Sequence, residues 1–338
     1  MIFVTGGTGL VGSHLLYELA RVQDQGAPKI RALYRSEERK KHVLEVFGLY
    51  SGSARDLFDT IDWIHGDLSD LGVLEDAMEG VDLVYHCAAL VSFDPRDRDL
   101  LFKVNEEGTA NIVHTALASG VRKLAYVSSV AALGRSETGD QIDEWTSWKS
   151  GPENSQYAIS KYAAEQQVWK GTQEGLPAVM VNPSIILGPG YWEAGSSKIF
   201  SSIADGFSFY SKGINGFVDV RDVASALATL ASSELENERY VLSAENRSYQ
   251  EVFTWIAEGL GVKAPHINTP AWLGNLVWRF EWLRSRLTGN SPMVTKETAA
   301  TAQQFVRYSS EKIREELGFT FRSLQETIQE TAKHFPKI

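Results

Sequence analysis

A doubly wound parallel α/β sheet, followed by a smaller and mostly helical C-terminal lobe, is the fold that three observations predict. Short β-branched runs alternate with longer stretches of helical spacing through the first half of the chain, the pattern of successive βαβ units. A glycine cluster at residues 6–12 stands directly after the first of these runs. From about Gly188 the pattern changes: Gly, Ser and aromatics become frequent through Gly216, and the chain reads as mostly helical from Tyr249. A length of 338 residues suits two units, which we place at 1–188 and 189–338.

The elements follow in order. Residues 1–5 read as a strand and 10–21 as a helix. Residues 30–34 are a second strand. The stretch 36–60 is longer and more polar than one crossover needs, and reads as a helix plus a surface insertion. Residues 61–65, 82–86, 123–128 and 178–182 are further strands. Between them lie a short helix at 71–78 and long helices at 100–119 and 156–174. A strand near 239–242 is expected to return to the sheet. Right-handed crossovers then gather the strand C-termini on one edge, where ligands bind.

Charge and cysteine content narrow the function classes. Lys plus Arg number 33 against 43 Asp plus Glu, a formal net charge of −10. Nucleic-acid binding needs a basic footprint and is not expected. The one cysteine, Cys87, permits no intrachain disulfide and no four-cysteine zinc site. No histidine pair stands at metal spacing, so no metal is expected. The apolar run Ile2-Phe3-Val4 follows Met1 directly, so no signal peptide is expected. The apolar stretch 81–91 contains Asp82 and His86 and falls well short of the ~20 residues that span a bilayer. A cytoplasmic protein with no transmembrane segment is the expectation.

The segment Thr5-Gly6-Gly7-Thr8-Gly9-Leu10-Val11-Gly12 joins the first strand to the first helix. A sharp reversal, close backbone approach to a pyrophosphate and tight helix–strand packing each demand glycine there. The free N–H groups and positive end of the following helix then face phosphate. This is the dinucleotide-binding turn of a Rossmann-type domain. At the end of the second strand, Tyr34-Arg35-Ser36 offers a cation where an acidic residue would select NAD. Arg35 favours the 2′-phosphate of NADP(H), with NAD(H) the alternative.

Tyr157 and Lys161 stand at i and i+4, on one face of a helix. An ammonium beside a phenol stabilises phenolate and lowers its pKa, and such a tyrosine exchanges a proton at a carbonyl or alcohol oxygen. Ser129 ends the fifth strand on the ligand edge and can hydrogen-bond the reacting oxygen. The bland reading of Ser129 is a turn cap.

Taken together the motifs resemble the extended short-chain dehydrogenase/reductase superfamily, in its dihydroflavonol-reductase and 3β-hydroxysteroid-dehydrogenase branch. The matches are the glycine turn, Gly66-Asp67-Leu68, His86-Cys87-Ala88-Ala89, Val104-Asn105 with Gly108-Thr109 and Asn111, Val127-Ser128-Ser129, Tyr157 with Lys161, and Pro183 with Gly188-Pro189. Residues 217–224 extend the likeness into the second lobe. The resemblance implies that Asp67 and Leu68 contact adenine, and that Cys87, Ala88, Ala89 and Val127 line the cofactor path. It implies further that Asn105 holds the long helix and a relay water, and that Lys161 also binds the nicotinamide ribose. Asn182, Pro183 and Ser184 would border the nicotinamide. Related proteins pair their two long helices as homodimers, and this chain would do the same.

Sugar-nucleotide dehydratases of this superfamily carry acidic residues directly after the strand-five hydroxyl. Here Val130 and Ala131 follow Ser129, so elimination chemistry lacks its carboxylates. Two activities remain. The first is hydride transfer between nicotinamide and a ketone or secondary alcohol of an apolar or polycyclic compound, with Tyr157 as acid/base. The alternative is an NAD-dependent nucleotide-sugar 4-epimerase, in which Arg221 would pair with a diphosphate. The Trp-rich stretch 272–287, where Trp278, Phe280 and Trp282 interleave with Arg279, Arg284 and Arg286, reads as a core helix, a substrate wall or a membrane-surface contact.

Overall fold

A computed structural model of the chain describes residues 1–22, 28–135, 141–270, 278–279 and 295–336. Its large sheet is built from seven strands: β1 (Ile2–Thr5), β2 (Ile30–Tyr34), β3 (Asp62–His65), β4 (Leu83–His86), β5 (Lys123–Val127), β6 (Ala178–Pro183) and β10 (Glu238–Leu242). Their order is β10-β6-β5-β4-β1-β2-β3, and every pairing is parallel. A parallel sheet covered on both faces needs strands that are apolar on both faces. The sequences IFVT, KLAYV and AVMVNP are accordingly buried at every position.

The strand order reverses between β1 and β4. The chain runs from β1 out to β2 and β3, then returns to the other side of β1. That reversal opens a crevice at the strand C-termini, the place where such sheets bind ligands. Register fixes what lines it: Thr5 stands opposite His86, and His86 opposite Tyr126.

Two helix layers cover the sheet. On one face α1 (Leu10–Ala20), α2 (Glu37–Gly48) and α9 (Val220–Ser232) enclose Val4, Tyr85, Ala125, Val181 and Tyr240. On the other, α4 (Leu71–Met78), α6 (Gly108–Ala118) and α7 (Gln156–Gln173) enclose Phe3, Val84, Leu124 and Met180. The expected helix at 100–119 is composite. It begins as α5 (Arg98–Leu101), passes through a π-helical segment at Phe102–Glu107, and continues as α6. A π segment inside a helix frequently marks a functional position, and here it carries Asn105.

The stretch 36–60 differs from expectation. It forms α2 and a second helix, α3 (Ala54–Asp59), rather than a surface insertion. The apolar set Val43, Val46, Phe47 and Phe58 is buried, and Phe47 and Phe58 meet edge-on at 6.4 Å. Charged residues on the solvent side had hidden this apolar stripe.

The C-terminal lobe packs α8 (Lys198–Ala204), α10 (Tyr249–Leu260) and α13 (Leu324–Lys333) around Phe200, Phe217, Ile256 and Ile328. The shorter helices α11 (Lys296–Thr301) and α12 (Glu311–Leu317) precede α13 in sequence. The lobe is not helical throughout. β7 (Ile185–Leu187), β9 (Ile214–Asp219) and β11 (Glu245–Ser248) form a small sheet in the order β11-β9-β7, and β8 (Phe209–Tyr210) pairs with β12 (Ile267–Asn268). The strand expected near 239–242 returns as β10, and α9 returns with it, so the chain crosses between the units more than once. Apart from Trp278 and Arg279, both helical, the Trp-rich stretch lies outside the described residues. No helix among the described residues is long and apolar enough to cross a membrane.

Replacing the fully buried Phe47 with Ala is expected to lower unfolding free energy by about 3–5 kcal/mol in urea denaturation. A change below ~1 kcal/mol, the range of surface substitutions, would return α2–α3 to the status of an insertion.

Candidate active site

The glycine turn is shaped by contact. Gly6 has φ +67°, and a Cβ on it would sit 2.4 Å from the Ala88 nitrogen. A Cβ on Gly12 would sit 2.1 Å from the Gly6 carbonyl oxygen. The turn therefore lies against the exit of β4 at Cys87 and Ala88, and only glycine fits. The helix that follows, α1, starts after Gly9 with no side-chain cap and no acidic residue in its first turn. Its leading N–H groups at Leu10, Val11 and Gly12 are left for an anion. Thr8 and Gly9 are half-buried beside them, while Gly7 is packed against Leu16. This geometry fits a dinucleotide pyrophosphate. Sequence reasoning missed Tyr191 of the second lobe, whose hydroxyl donates to the Thr8 carbonyl at 2.7 Å. Its backbone has φ 58°, a conformation rare for a side chain of this size.

At the other end of the crevice, Arg35 and Ser36 follow β2. Ser36 is the N-cap of α2. Exposed Arg35 donates to the Asp67 carboxylate at 3.2 Å. Leu68 is buried, and its carbonyl accepts from Asn111 at 2.8 Å.

Ser129, Tyr157 and Lys161 come from β5's exit and α7. Ser129 acts on the Tyr157 hydroxyl so as to lower the phenol's pKa. Burial is the larger influence and holds Tyr157 above its ordinary value. Ser129 also accepts from the Ala131 N–H at 3.1 Å, so the turn-cap role is filled as well. Phe93 packs edge-on to Tyr157, with ring centroids 5.6 Å apart.

Lys161 departs from the expected arrangement. Its amine does not sit on Tyr157. It donates to the Tyr126 hydroxyl at 2.8 Å and to the Val127 carbonyl at 3.0 Å. The helix spacing places both side chains on one face, but the lysine stem reaches inward to the sheet. Lys161 is 1% exposed. Burial pulls its ammonium down to about 7, a shift that the neighbouring carboxylate of Glu165 opposes. The same burial pushes the Cys87 thiol up to about 12.

Asn105 is buried, and its amide is spent on structure. Nδ2 donates to the Leu90 carbonyl at 3.0 Å and to Ser160 Oγ at 2.9 Å, while Oδ1 accepts from the Leu90 N–H at 2.7 Å. Ser160 in turn donates to the Tyr157 carbonyl. Asn105 thus ties the loop after β4 to the helix turn that carries Tyr157. It is a positioning residue in this geometry.

Asn182 donates through Nδ2 to the Ser129 carbonyl at 3.0 Å and to Glu165 at 2.8 Å. Both partners are acceptors, which fixes its amide orientation. Its Oδ1 is buried without a hydrogen-bond partner among the described residues, a site for a donor. Pro183 is buried beside it, and Ser184 is held on the Leu242 carbonyl. Glu165, unforeseen, gathers Ser128, Asn182 and Arg239 on one fully buried carboxylate. It lies one turn beyond Lys161, a periodicity that could have found it. Cys87 and Ala88 border the glycine turn, whereas Ala89 is exposed. Arg221 is committed elsewhere, to Asp219 at 2.5 Å and to Glu330.

Comparisons agree with this geometry. Residues 2–243 match the NAD dependent epimerase/dehydratase family. A Synechocystis protein provisionally named dihydroflavonol 4-reductase is 32% identical, over 98% of this chain and 94% of its own. Sterol demethylase protein B of Methylococcus capsulatus is 30% identical, over 79% of this chain and 76% of its own. The crystal structure of gox2253 superposes with a TM-score of 0.78 at 31% identity, covering 99% of this chain and 97% of that one.

Two buried histidines set the acid limit of the fold. Burial drives His14 down to about 4 and His86 to about 3. Both bind protons only on unfolding, so their stabilising effect is full above pH 6.5 and is lost as pH falls below it. Each is expected to remove about 2 kcal/mol between pH 6.5 and 5. Urea midpoints across that range measure it, and a flat profile would contradict neutral burial.

Proposed function

The chain belongs to the NAD dependent epimerase/dehydratase family, and from that premise we propose that it is an NADP(H)-dependent oxidoreductase acting on a ketone or secondary alcohol of an apolar substrate. The observation that carries the reading is that β5 delivers Ser129, and α7 delivers Tyr157 and a fully buried Lys161, to the strand edge that also holds the glycine turn. When bound, the nicotinamide ring supplies or accepts the hydride.

The chain's own groups do the rest. Tyr157 exchanges the proton at the substrate oxygen. Its raised pKa keeps it protonated near neutrality, which suits it as the acid of the reducing direction. Ser129 donates a hydrogen bond to the same oxygen. Asn105 and Glu165 hold the two backbones that carry these groups. The turn 6–12 and the start of α1 hold the pyrophosphate. Asn182, Pro183 and Ser184 border the nicotinamide, and Asp67 with Leu68 the adenine.

Two features support an apolar substrate. Phe93 packs on the Tyr157 ring, and the relatives' names refer to a dihydroflavonol and to a sterol. The epimerase alternative assigned Arg221 to a diphosphate, and that guanidinium is already held by two carboxylates. Arg35 supports NADP(H) over NAD(H), since its pairing with Asp67 is exposed and surface pairs of this kind are weak enough to yield to a 2′-phosphate. A cytoplasmic setting and a homodimer through α6 and α7 belong to the same reading.

Tyr157→Phe is expected to lower kcat/KM for a ketone substrate by about 10²–10⁴-fold, with the dinucleotide Kd unchanged by fluorescence titration. Undiminished turnover would refute the assignment. For the cofactor, Arg35→Glu should weaken NADPH binding while leaving NADH binding in place. Wild-type affinity for NADH equal to or better than that for NADPH would overturn the preference.

A further inference from the structure

We propose that Tyr191 is a positioning residue for the cofactor: the second lobe delivers its hydroxyl to the glycine turn, where it holds the Thr8–Gly9 peptide in the orientation that receives the pyrophosphate. The proposal rests on the assignment of that turn to a dinucleotide, which the family match over residues 2–243 supports.

The path of the chain after β7 puts Tyr191 there. Gly190 has φ +94° and Tyr191 has φ +58°, two left-handed residues in succession. The chain reverses at this point, and adjacent side chains part to different units. Trp192 joins the C-terminal core, edge-on to Phe200 at 6.0 Å and to Phe335 at 5.0 Å. Its carbonyl accepts from Ser201 Oγ at 2.5 Å. Behind it, Ser197 Oγ donates to the Gly188 carbonyl at 3.2 Å. Tyr191 turns to the first unit instead. Its ring centroid lies 5.7 Å from that of His42 on α2, and its hydroxyl meets the Thr8 carbonyl at 2.7 Å. A side chain of this size persists at positive φ only where its surroundings determine it. The determinants here are Trp192 on one side and the glycine turn on the other.

The direction of this hydrogen bond is not open. A backbone carbonyl only accepts, so the phenol donates. The Thr8–Gly9 peptide is then held at both ends, because the Gly9 N–H donates to the Gly6 carbonyl at 2.9 Å. Gly9 is the N-cap of α1, and the N–H groups that follow it are the ones left for an anion. A carbonyl oxygen carries partial negative charge. One peptide away from those N–H groups, it would oppose a phosphate if it turned toward them. Its bond to Tyr191 keeps the Thr8 oxygen engaged, so the turn presents donors to the pyrophosphate. Tyr191 acts through the turn and need not touch the dinucleotide. Because Trp192 fixes the neighbouring residue in the C-terminal core, the placement of the second lobe bears on cofactor affinity.

Tyr191→Phe keeps the ring and removes the donor. Fluorescence titration with NADPH and with NADH measures the effect. Both Kd values should rise by one common factor of about 3–10, since the two dinucleotides share the pyrophosphate. Adenosine, which carries no phosphate for the turn, should bind the variant and the wild type alike in ligand-observed NMR. Wild-type Kd values for both dinucleotides in the variant would overturn the proposal, because the hydroxyl would then do nothing for the turn. Equal weakening of adenosine would overturn it too, by showing a general distortion of the crevice and not an effect at the phosphates. The two readings fail separately. Wild-type protein that binds neither dinucleotide would refute the cofactor assignment along with the proposal, whereas tight binding that ignores the hydroxyl refutes only the role of Tyr191.

Discussion

One buried amine organises the centre of this molecule. Lys161 lies beneath α7 with 1% of its surface exposed, and desolvation disfavours its charged form strongly. It is retained because two acceptors meet it, the Tyr126 hydroxyl and the Val127 carbonyl, and because Glu165 stands one turn away with an opposing charge. Each of these partners is placed by something else. Tyr126 is set by strand register, Val127 by the end of β5, and Glu165 by Ser128, Asn182 and Arg239.

The same economy links the lobes to the crevice. Asp219 caps α9 and pairs with Arg221, which also reaches Glu330 on α13. Asp222, in the first turn of α9, takes the backbone N–H and guanidinium of Arg322. Tyr191 reaches from the second lobe to the glycine turn. These pairs tie the C-terminal helices to α9, and Tyr191 ties the second lobe to the glycine turn.

What the sequence revealed depended on whether a constraint was local. The turn at 6–12 was legible because backbone sterics at Gly6 and Gly12 admit only glycine. The sheet was legible because strands buried on both faces must be apolar throughout. The helix α3 was obscured because its core contribution is a single residue, Phe58, among polar neighbours. The pairing of Lys161 with Tyr126 was out of reach for another reason. Helical spacing says which face a side chain leaves from, not where a four-carbon stem ends. The Thr5–His86–Tyr126 row depends on register between strands about 80 and 40 positions apart in sequence, which no local pattern encodes. Glu165 went unread although its spacing from Lys161 could have found it, and nothing nearby in sequence pointed to its pairing with Asn182 and Arg239.

The claim on which the account turns is that the Lys161 ammonium is buried, held by Tyr126 and titratable near neutrality. Heteronuclear NMR of the lysine side chains in the cofactor-free protein measures this directly. The account predicts a Lys161 titration at about 7. A titration at the ordinary value of 10.5 would mean that the amine is solvated, and the architecture described for the site would not hold.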